Sequence, residues 1–180
     1  MSLPNKVQLI TYGDSFQQKQ VKPLSVLNDF VSEYLHDAIS IVHVLPFFPY
    51  SSDDGFSVID YKEVNPELGS WKHIHSLCEG RTVMVDAVIN HMSAKSRCFK
   101  GFLNGDAAYE NFFMVTGSDF DTSRVFRPRA LPLLTRFDTK RGSFNLWTTF
   151  STDQIDLNFK NPEVLLYIID VLLYYVQQGA

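Results

Sequence analysis

Between Arg81 and Ser93 the chain reads RTVMVDAVINHMS, and no other stretch limits its fold so tightly. Thr82 to Ile89 is a run of β-branched and apolar residues interrupted by one carboxylate, Asp86. A run apolar at both alternating positions is expected of a strand buried on both faces of a parallel sheet. A carboxylate in that setting costs free energy unless hydrogen bonds or a charge partner compensate it. The run ends in Asn90-His91, so polar side chains arrive at the strand's C-terminal end, where α/β barrels keep their chemistry. Taken alone, these residues are more often a structural hydrogen-bond anchor and a satisfied turn.

The preceding segments repeat the same alternation. KVQLITY (Lys6–Tyr12) reads as a strand broken by Gly13-Asp14-Ser15. Leu24, Leu27, Val31 and Leu35 fall at helical spacing and predict a helix over Val21–Leu35. AISIVHVL (Ala38–Leu45) predicts a second buried strand, stopped by Pro46-Phe47-Phe48-Pro49 and followed by a Ser, Asp and Gly-rich loop to Asp60. Ser70–Cys78 reads as a second helix with Ser70 as its cap. The order βαβαβ implies parallel strands joined by right-handed crossovers.

Beyond His91 the rhythm changes. Met92–Phe150 is aromatic, turn-rich and without sustained period, and a structureless excursion of that length does not suit a compact domain. It is expected to be an inserted subdomain. Asn161-Pro162-Glu163 then carries the marks of a helix start: a capping residue, Pro at the first turn and an acid beside the N-terminus. Val164–Val176 is apolar almost all round, with Gly179 as its terminating residue. A helix apolar on nearly every face must be buried on nearly every face. Three strands and two further helices do not supply that cover, so a following strand is expected, and a full barrel takes about 250 residues.

Composition narrows the partners. The net charge of −4 gives no basic patch for nucleic acid. The last apolar run is short and not charge-free, which argues against a membrane span. No signal-peptide pattern opens the chain, and a soluble cytoplasmic protein is expected. Cys78 and Cys98 show no metal-ligand spacing, and no disulfide can be argued from them. Fifteen phenylalanines suit either a large core or a sugar-binding cleft.

Several motifs, in this order and spacing, give a resemblance. DAVINH (Asp86–His91) resembles the strand-three motif of the α-amylase superfamily of glycoside hydrolases, and QIDLN (Gln154–Asn158) resembles its motif near the end of the inserted subdomain. QLITY, LPFFPYSSDDGF (Leu45–Phe56) and FRPRALP (Phe126–Pro132) narrow the likeness to the sucrose phosphorylase group. It covers the chain from about Lys6 to Ala180. The resemblance implies the N-terminal part of a (β/α)8 TIM barrel: residues 1–91 as barrel strands one to three with their helices, 92–158 as the inserted subdomain, and 159–180 as the helix before barrel strand four. It implies retaining transfer of an α-glucosyl unit from an α-glucoside to inorganic phosphate, giving α-glucose 1-phosphate, with no cofactor. One carboxylate would form a covalent glucosyl-enzyme and a second would protonate the leaving oxygen. The family carries its nucleophile, acid/base and third carboxylate on barrel strands four, five and seven. No Asp or Glu of this chain therefore takes a catalytic role, and the 180 residues alone are expected to be inactive.

Substrate positioning remains. Asp53 matches the carboxylate that holds glucose hydroxyls, a task suited to a charged acceptor; without the resemblance, Ser51-Ser52-Asp53-Asp54-Gly55 reads as a turn. Phe56 matches an aromatic beside the reacting carbon, whose ring face stabilises developing positive charge. His91 matches the donor-site histidine, and Asp86 and Asn90 are expected to brace it. Arg127 and Arg129 flank Pro128, which favours extended backbone, so both guanidinium groups can face one anion; the resemblance assigns Arg129 to phosphate or acceptor and leaves Arg127 in support. Phe150 matches an aromatic of the acceptor side. As plain residues, Phe56 and Phe150 suit a core equally well. The matching Asn of many α-amylases helps hold calcium, but no further oxygen ligands cluster here and no metal is expected.

The likeness departs from sucrose phosphorylases at Phe126, where Tyr is usual, and at Ala130-Leu131-Pro132. SSDDGFSVIDY and RPRALPLL resemble more the branch that acts on glucosylglycerate. The acceptor thus stays open among fructose, a phosphorylated fructose and glycerate. Two rival readings stand beside phosphorolysis: hydrolysis or transglucosylation of α-glucosides, and a non-catalytic truncated barrel.

Overall fold

The computed structural model describes residues 6–117, 119–126 and 130–180. The chain divides into two compact units: 1–49, 61–87 and 171–180 in the first, and 50–60 and 88–170 in the second.

The first unit is built on a parallel sheet of β1 (Gln8–Thr11), β2 (Ile41–Val44) and β3 (Thr82–Val85), in the order β1-β2-β3. Two helices connect the strands, α1 (Pro23–Tyr34) and α2 (Trp71–Cys78). α1 starts at Pro23, where a missing N–H leaves nothing unsatisfied. At the start of α2 the Ser70 backbone N–H donates to His73 Nδ1 at 3.0 Å. Alternation along the strands sends Val42, Val44 and Val83 to a buried face, and Leu24, Leu27, Val31, Ile74 and Leu77 of the helices are buried with them.

The other sheet face corrects the expectation for Arg81–Ile89. The strand is shorter, and it is buried on one face only: Met84 is 42% exposed, as is Ile10 at 59%. Ile10, His43 and Met84 are register partners across the three strands and share that face, where Ile10 and Met84 are exposed and His43 is half-buried. Among the described residues none covers Ile10 and Met84, which the apolar pattern assigns to a core.

α4 (Pro162–Gln177) begins as expected, with the Asn161 side-chain oxygen accepting from the Glu163 N–H at 3.1 Å. Gly179 takes φ 100° just beyond its end, the left-handed conformation that glycine adopts at low cost. Val164, Ile168, Val171 and Tyr175 form its buried stripe. Leu165, Leu166, Ile169, Leu172, Leu173 and Val176 stay exposed. Within the first unit, Phe48 stacks on Tyr175 at 5.1 Å and Trp71 meets Tyr174 edge-on at 5.4 Å.

The second unit carries secondary structure of its own. β4 (His91–Ser93) pairs antiparallel with β8 (Gln154–Asp156), and β5 (Val115–Thr116), β7 (Gly142–Trp147) and β6 (Leu134–Thr139) form a second antiparallel sheet in that order. The β6–β7 hairpin turns through Lys140-Arg141, which carries none of the usual Asn-Gly signal; the positive φ falls on Gly142, at 118°. Helix α3 (Arg97–Leu103) is capped by Ser96, whose Oγ accepts from the Phe99 N–H at 3.1 Å. Phe99, Phe102, Phe113 and Phe137 pack largely edge to face, at 5.0–5.9 Å between centroids. Four of the fifteen phenylalanines thus meet in this core.

Candidate sugar-binding site

The loop 50–58 is closed at its ends by a bridge between Tyr50 and Val58. Inside it, three consecutive residues take positive φ: Asp53 at 56°, Asp54 at 49° and Gly55 at 104°. For an L-residue this conformation costs on the order of 1 kcal/mol, so surrounding contacts must hold it. They come from β4 and β8.

Gln154, wholly buried at the start of β8, supplies the first of them. Its side-chain nitrogen donates to Asp53 Oδ2 at 3.0 Å, lies 3.4 Å from the Phe56 carbonyl oxygen and stands 3.2 Å from His91 Nε2. Its amide oxygen accepts from the Ser151 hydroxyl at 2.8 Å, which fixes the amide's orientation. His91 Nε2 is also 2.9 Å from the Phe56 carbonyl. The His91 ring, 5% exposed, lies 5.0 Å from the Phe150 ring. One buried amide thus links three residues singled out from the sequence, Asp53, Phe56 and His91, and Phe150 adjoins the last.

Asp153, immediately before Gln154, supplies the second set. Its Oδ2 accepts hydroxyl hydrogen bonds from Ser51 at 2.5 Å, Ser52 at 2.6 Å and Ser57 at 2.8 Å. Burial opposes its ionisation, yet the three hydroxyls and the charge of Lys95 outweigh it, and the carboxyl is held below its ordinary pKa.

Asp156, at the far end of β8, pairs in register with His91. It accepts from the hydroxyl and, at 3.4 Å, the backbone N–H of Thr149. Here burial prevails over those bonds and over the His91 charge, and the pKa is raised. Asn90, Met114, Thr149, Phe150, Asp156 and Leu157 border a cavity of about 350 Å³.

Asp86 belongs to the first unit, where His43 Nε2 lies 2.9 Å from its Oδ2; that partner compensates the carboxylate in the strand run. Arg127 and Arg129 lie outside the described residues. Among the described residues no group of three or more His, Cys, Asp or Glu could hold a metal ion, and no helix is long and apolar enough to cross a membrane. Cys78 and Cys98 are free thiols.

Sequence reasoning used QIDLN to recognise a family and gave Gln154 no task. Without the resemblance it reads Ser51-Ser52-Asp53-Asp54-Gly55 as a turn, and it gives Ser57 and Asp153 no task. The available signal was a buried-strand Gln inside a motif, since an amide there needs several partners to be tolerated.

This geometry belongs to a known class. Residues 12–180 match the family model described as alpha amylase, catalytic domain, and the chain belongs to that family. The fold is the N-terminal part of its (β/α)8 barrel, with the inserted subdomain after barrel strand three. The chain is 55% identical over 172 residues to the glucosylglycerate phosphorylase of Spirochaeta thermophila, covering 96% of this chain and 29% of that protein. It is 36% identical over 181 residues to the sucrose phosphorylase of Streptococcus mutans, covering 93% and 36%. The crystal structure of a sucrose 6F-phosphate phosphorylase from Thermoanaerobacter thermosaccharolyticum superposes with a TM-score of 0.88 at 32% identity, over 100% of this chain and 39% of that one. The chain spans roughly a third of the length of these relatives, all of them glycoside phosphorylases.

Proposed function

We propose that the full-length protein is a retaining glycoside phosphorylase that splits α-glucosylglycerate with phosphate, releasing α-glucose 1-phosphate and glycerate. The observation that carries the donor half of this reading is the Gln154 amide, within 3.2 Å of both Asp53 and His91. A carboxylate and an imidazole fixed side by side suit a polyhydroxylated ring: the carboxylate accepts from sugar hydroxyls and the imidazole adds a directional bond. Phe56 would present its ring to the anomeric carbon as positive charge develops, and Phe150 would border the acceptor. Asn90, which borders the cavity beside Phe150, keeps its proposed role as a support. The carboxylates of glucosyl transfer lie, in this reading, outside residues 1–180.

The acceptor is argued from similarity. Identity of 55% to a glucosylglycerate phosphorylase, against 36% to a sucrose phosphorylase, favours glycerate among the acceptors left open by the sequence. Glycerate carries a carboxylate and phosphate is an anion, and the guanidinium groups of Arg127 and Arg129 suit both.

The test is formation of glucose 1-phosphate by the full-length protein from α-glucosylglycerate and phosphate, with sucrose as comparison. We expect dependence on phosphate and a kcat/KM at least tenfold higher for glucosylglycerate. Equal rates without phosphate would replace phosphorolysis by hydrolysis; a preference for sucrose would overturn the acceptor. Arg129→Ala should slow glucosyl transfer to phosphate more than formation of the glucosyl-enzyme in single-turnover measurements. Equal slowing of both would assign Arg129 to the fold.

A further inference from the structure

We propose that Asp153 is a positioning residue for the sugar-binding loop: its carboxylate gathers the hydroxyls of Ser51, Ser52 and Ser57 and so holds Asp53 and the Phe56 carbonyl in the arrangement that meets substrate. The inference rests on the donor-site reading of Asp53, Phe56 and His91 given above.

The hydrogen-bond directions follow from donor counting. An ionised carboxylate only accepts, so the Ser51 hydroxyl must donate to Asp153 Oδ2. The Ser93 hydroxyl, 2.5 Å away and wholly buried, then has Ser51 Oγ as its acceptor, and Ser93 Oγ itself accepts from the Lys95 N–H at 2.9 Å. An ordered chain runs from Lys95 through Ser93 and Ser51 into Asp153. Ser52 and Ser57 close on the same oxygen from either side of the strained segment 53–55. The backbone seconds this arrangement. Ser93 N–H donates to the Val58 carbonyl and Ala94 N–H to the Asp153 carbonyl, both at 2.9 Å.

Position explains why this is more than a loop anchor. Asp153 and Gln154 are consecutive, and they grip opposite aspects of one loop: Asp153 its serines, Gln154 its Asp53 side chain and Phe56 carbonyl. Two left-handed residues that are not glycine, Asp53 and Asp54, relax toward ordinary backbone once the grip is loosened. Asp53 would then leave the place from which it bonds Gln154. Asp153 thereby acts on the reaction through Asp53 and Phe56, without touching substrate.

The experiment compares Asp153→Ala, Asp153→Asn and Ser52→Ala in the full-length protein by two readouts. The first is amide hydrogen exchange in the unliganded protein at Ser51, Phe56 and Ser57, whose N–H groups bond within the loop. The second is steady-state phosphorolysis. For Asp153→Ala we expect exchange at these amides at least tenfold faster, kcat/KM for the α-glucoside at least tenfold lower, and KM for phosphate changed less than twofold. Asp153→Asn, which keeps an acceptor oxygen, should recover part of both losses. Unchanged exchange, or equal losses toward the α-glucoside and phosphate, would overturn the proposal. If Asp153→Ala fails to fold, Ser52→Ala decides it: at least threefold faster exchange with lowered kcat/KM supports the clamp, and wild-type values in both sink it. If the wild-type protein phosphorolyses no α-glucoside, the functional reading falls, while the exchange measurement still decides whether Asp153 holds the loop.

Discussion

The sheet-and-helix unit and the loop 50–58 of the second unit are stabilised by opposite means. In the first, Leu24, Leu27, Val31, Val42, Val44 and Leu77 are all wholly buried, and apolar burial requires only that each be apolar and of suitable size. In the second, Ser51, Ser52, Ser57, Asp153 and Gln154 fix the loop through hydrogen bonds whose lengths and directions are specified atom by atom. Dispersed apolar contacts yield stability with tolerance of detail. Directional bonds yield geometry, and they fail when one partner is lost. A carboxylate proposed to hold sugar hydroxyls, as Asp53 is, needs the second kind of support, because such a task depends on where its oxygens stand.

Four experiments test that contrast. Asp53→Ala should have the largest effect, lowering turnover of the full-length protein about a thousandfold, roughly 4 kcal/mol in the barrier, with little change in melting temperature. Near-normal rates would remove Asp53 from the donor site. Leu27→Ala should do the reverse. Loss of a wholly buried leucine costs about 3 kcal/mol of unfolding free energy, read by denaturant titration, while KM of the remaining folded protein stays unchanged. A loss below about 1 kcal/mol would mean that the α1 face collapses around the gap more easily than a close-packed core permits.

Asp54→Val comes next. Asp54 is exposed, so only its backbone at φ 49° is at stake. A β-branched residue there should cost about 1–2 kcal/mol, and Asp54→Gly should stay within about 0.5 kcal/mol of wild type. Equal effects of Val and Gly in thermal unfolding would deny the strain.

The smallest effect concerns pH and separates Asp153, just before β8, from Asp156 at its end. Asp153, with its pKa lowered in the fold, favours the folded state above its unfolded pKa of about 3.9, and that contribution is lost as pH falls through its folded value. Asp156, with its pKa raised, has the opposite sign: its contribution is present below about pH 3.9 and is lost as pH rises through the folded value. Asp156→Asn should therefore gain stability relative to wild type as pH rises through the folded pKa of Asp156, whereas Asp153→Asn should lose stability as pH rises through that of Asp153. Parallel curves for the two variants would show that the two carboxyls share one environment.

Much of this was legible in the chain, and the reason is periodicity. Helix α2, the start of α4 at Asn161-Pro162 and the βαβαβ order each rest on local spacing or capping, which act over a few residues whatever surrounds them. Asp53, Phe56, His91 and Phe150 were reachable by resemblance. The β6–β7 hairpin was not, because its turn, Lys140-Arg141, lacks the residues that announce one.

Local sequence sets the class of fold and marks the side chains that are polar where an apolar run would be expected: Asp86, His91 and Gln154. Tertiary structure alone decided their partners. Asp86 meets His43, forty-three residues away, and Asp153 meets Ser51, one hundred and two away. Neither pairing leaves a mark on local spacing, since a hydrogen bond across such a separation depends on strand register and loop path. Burial was settled at the same level: the alternation of Arg81–Ile89 states which residues can be buried, and only the neighbouring elements determine that Val83 is buried while Met84 is exposed.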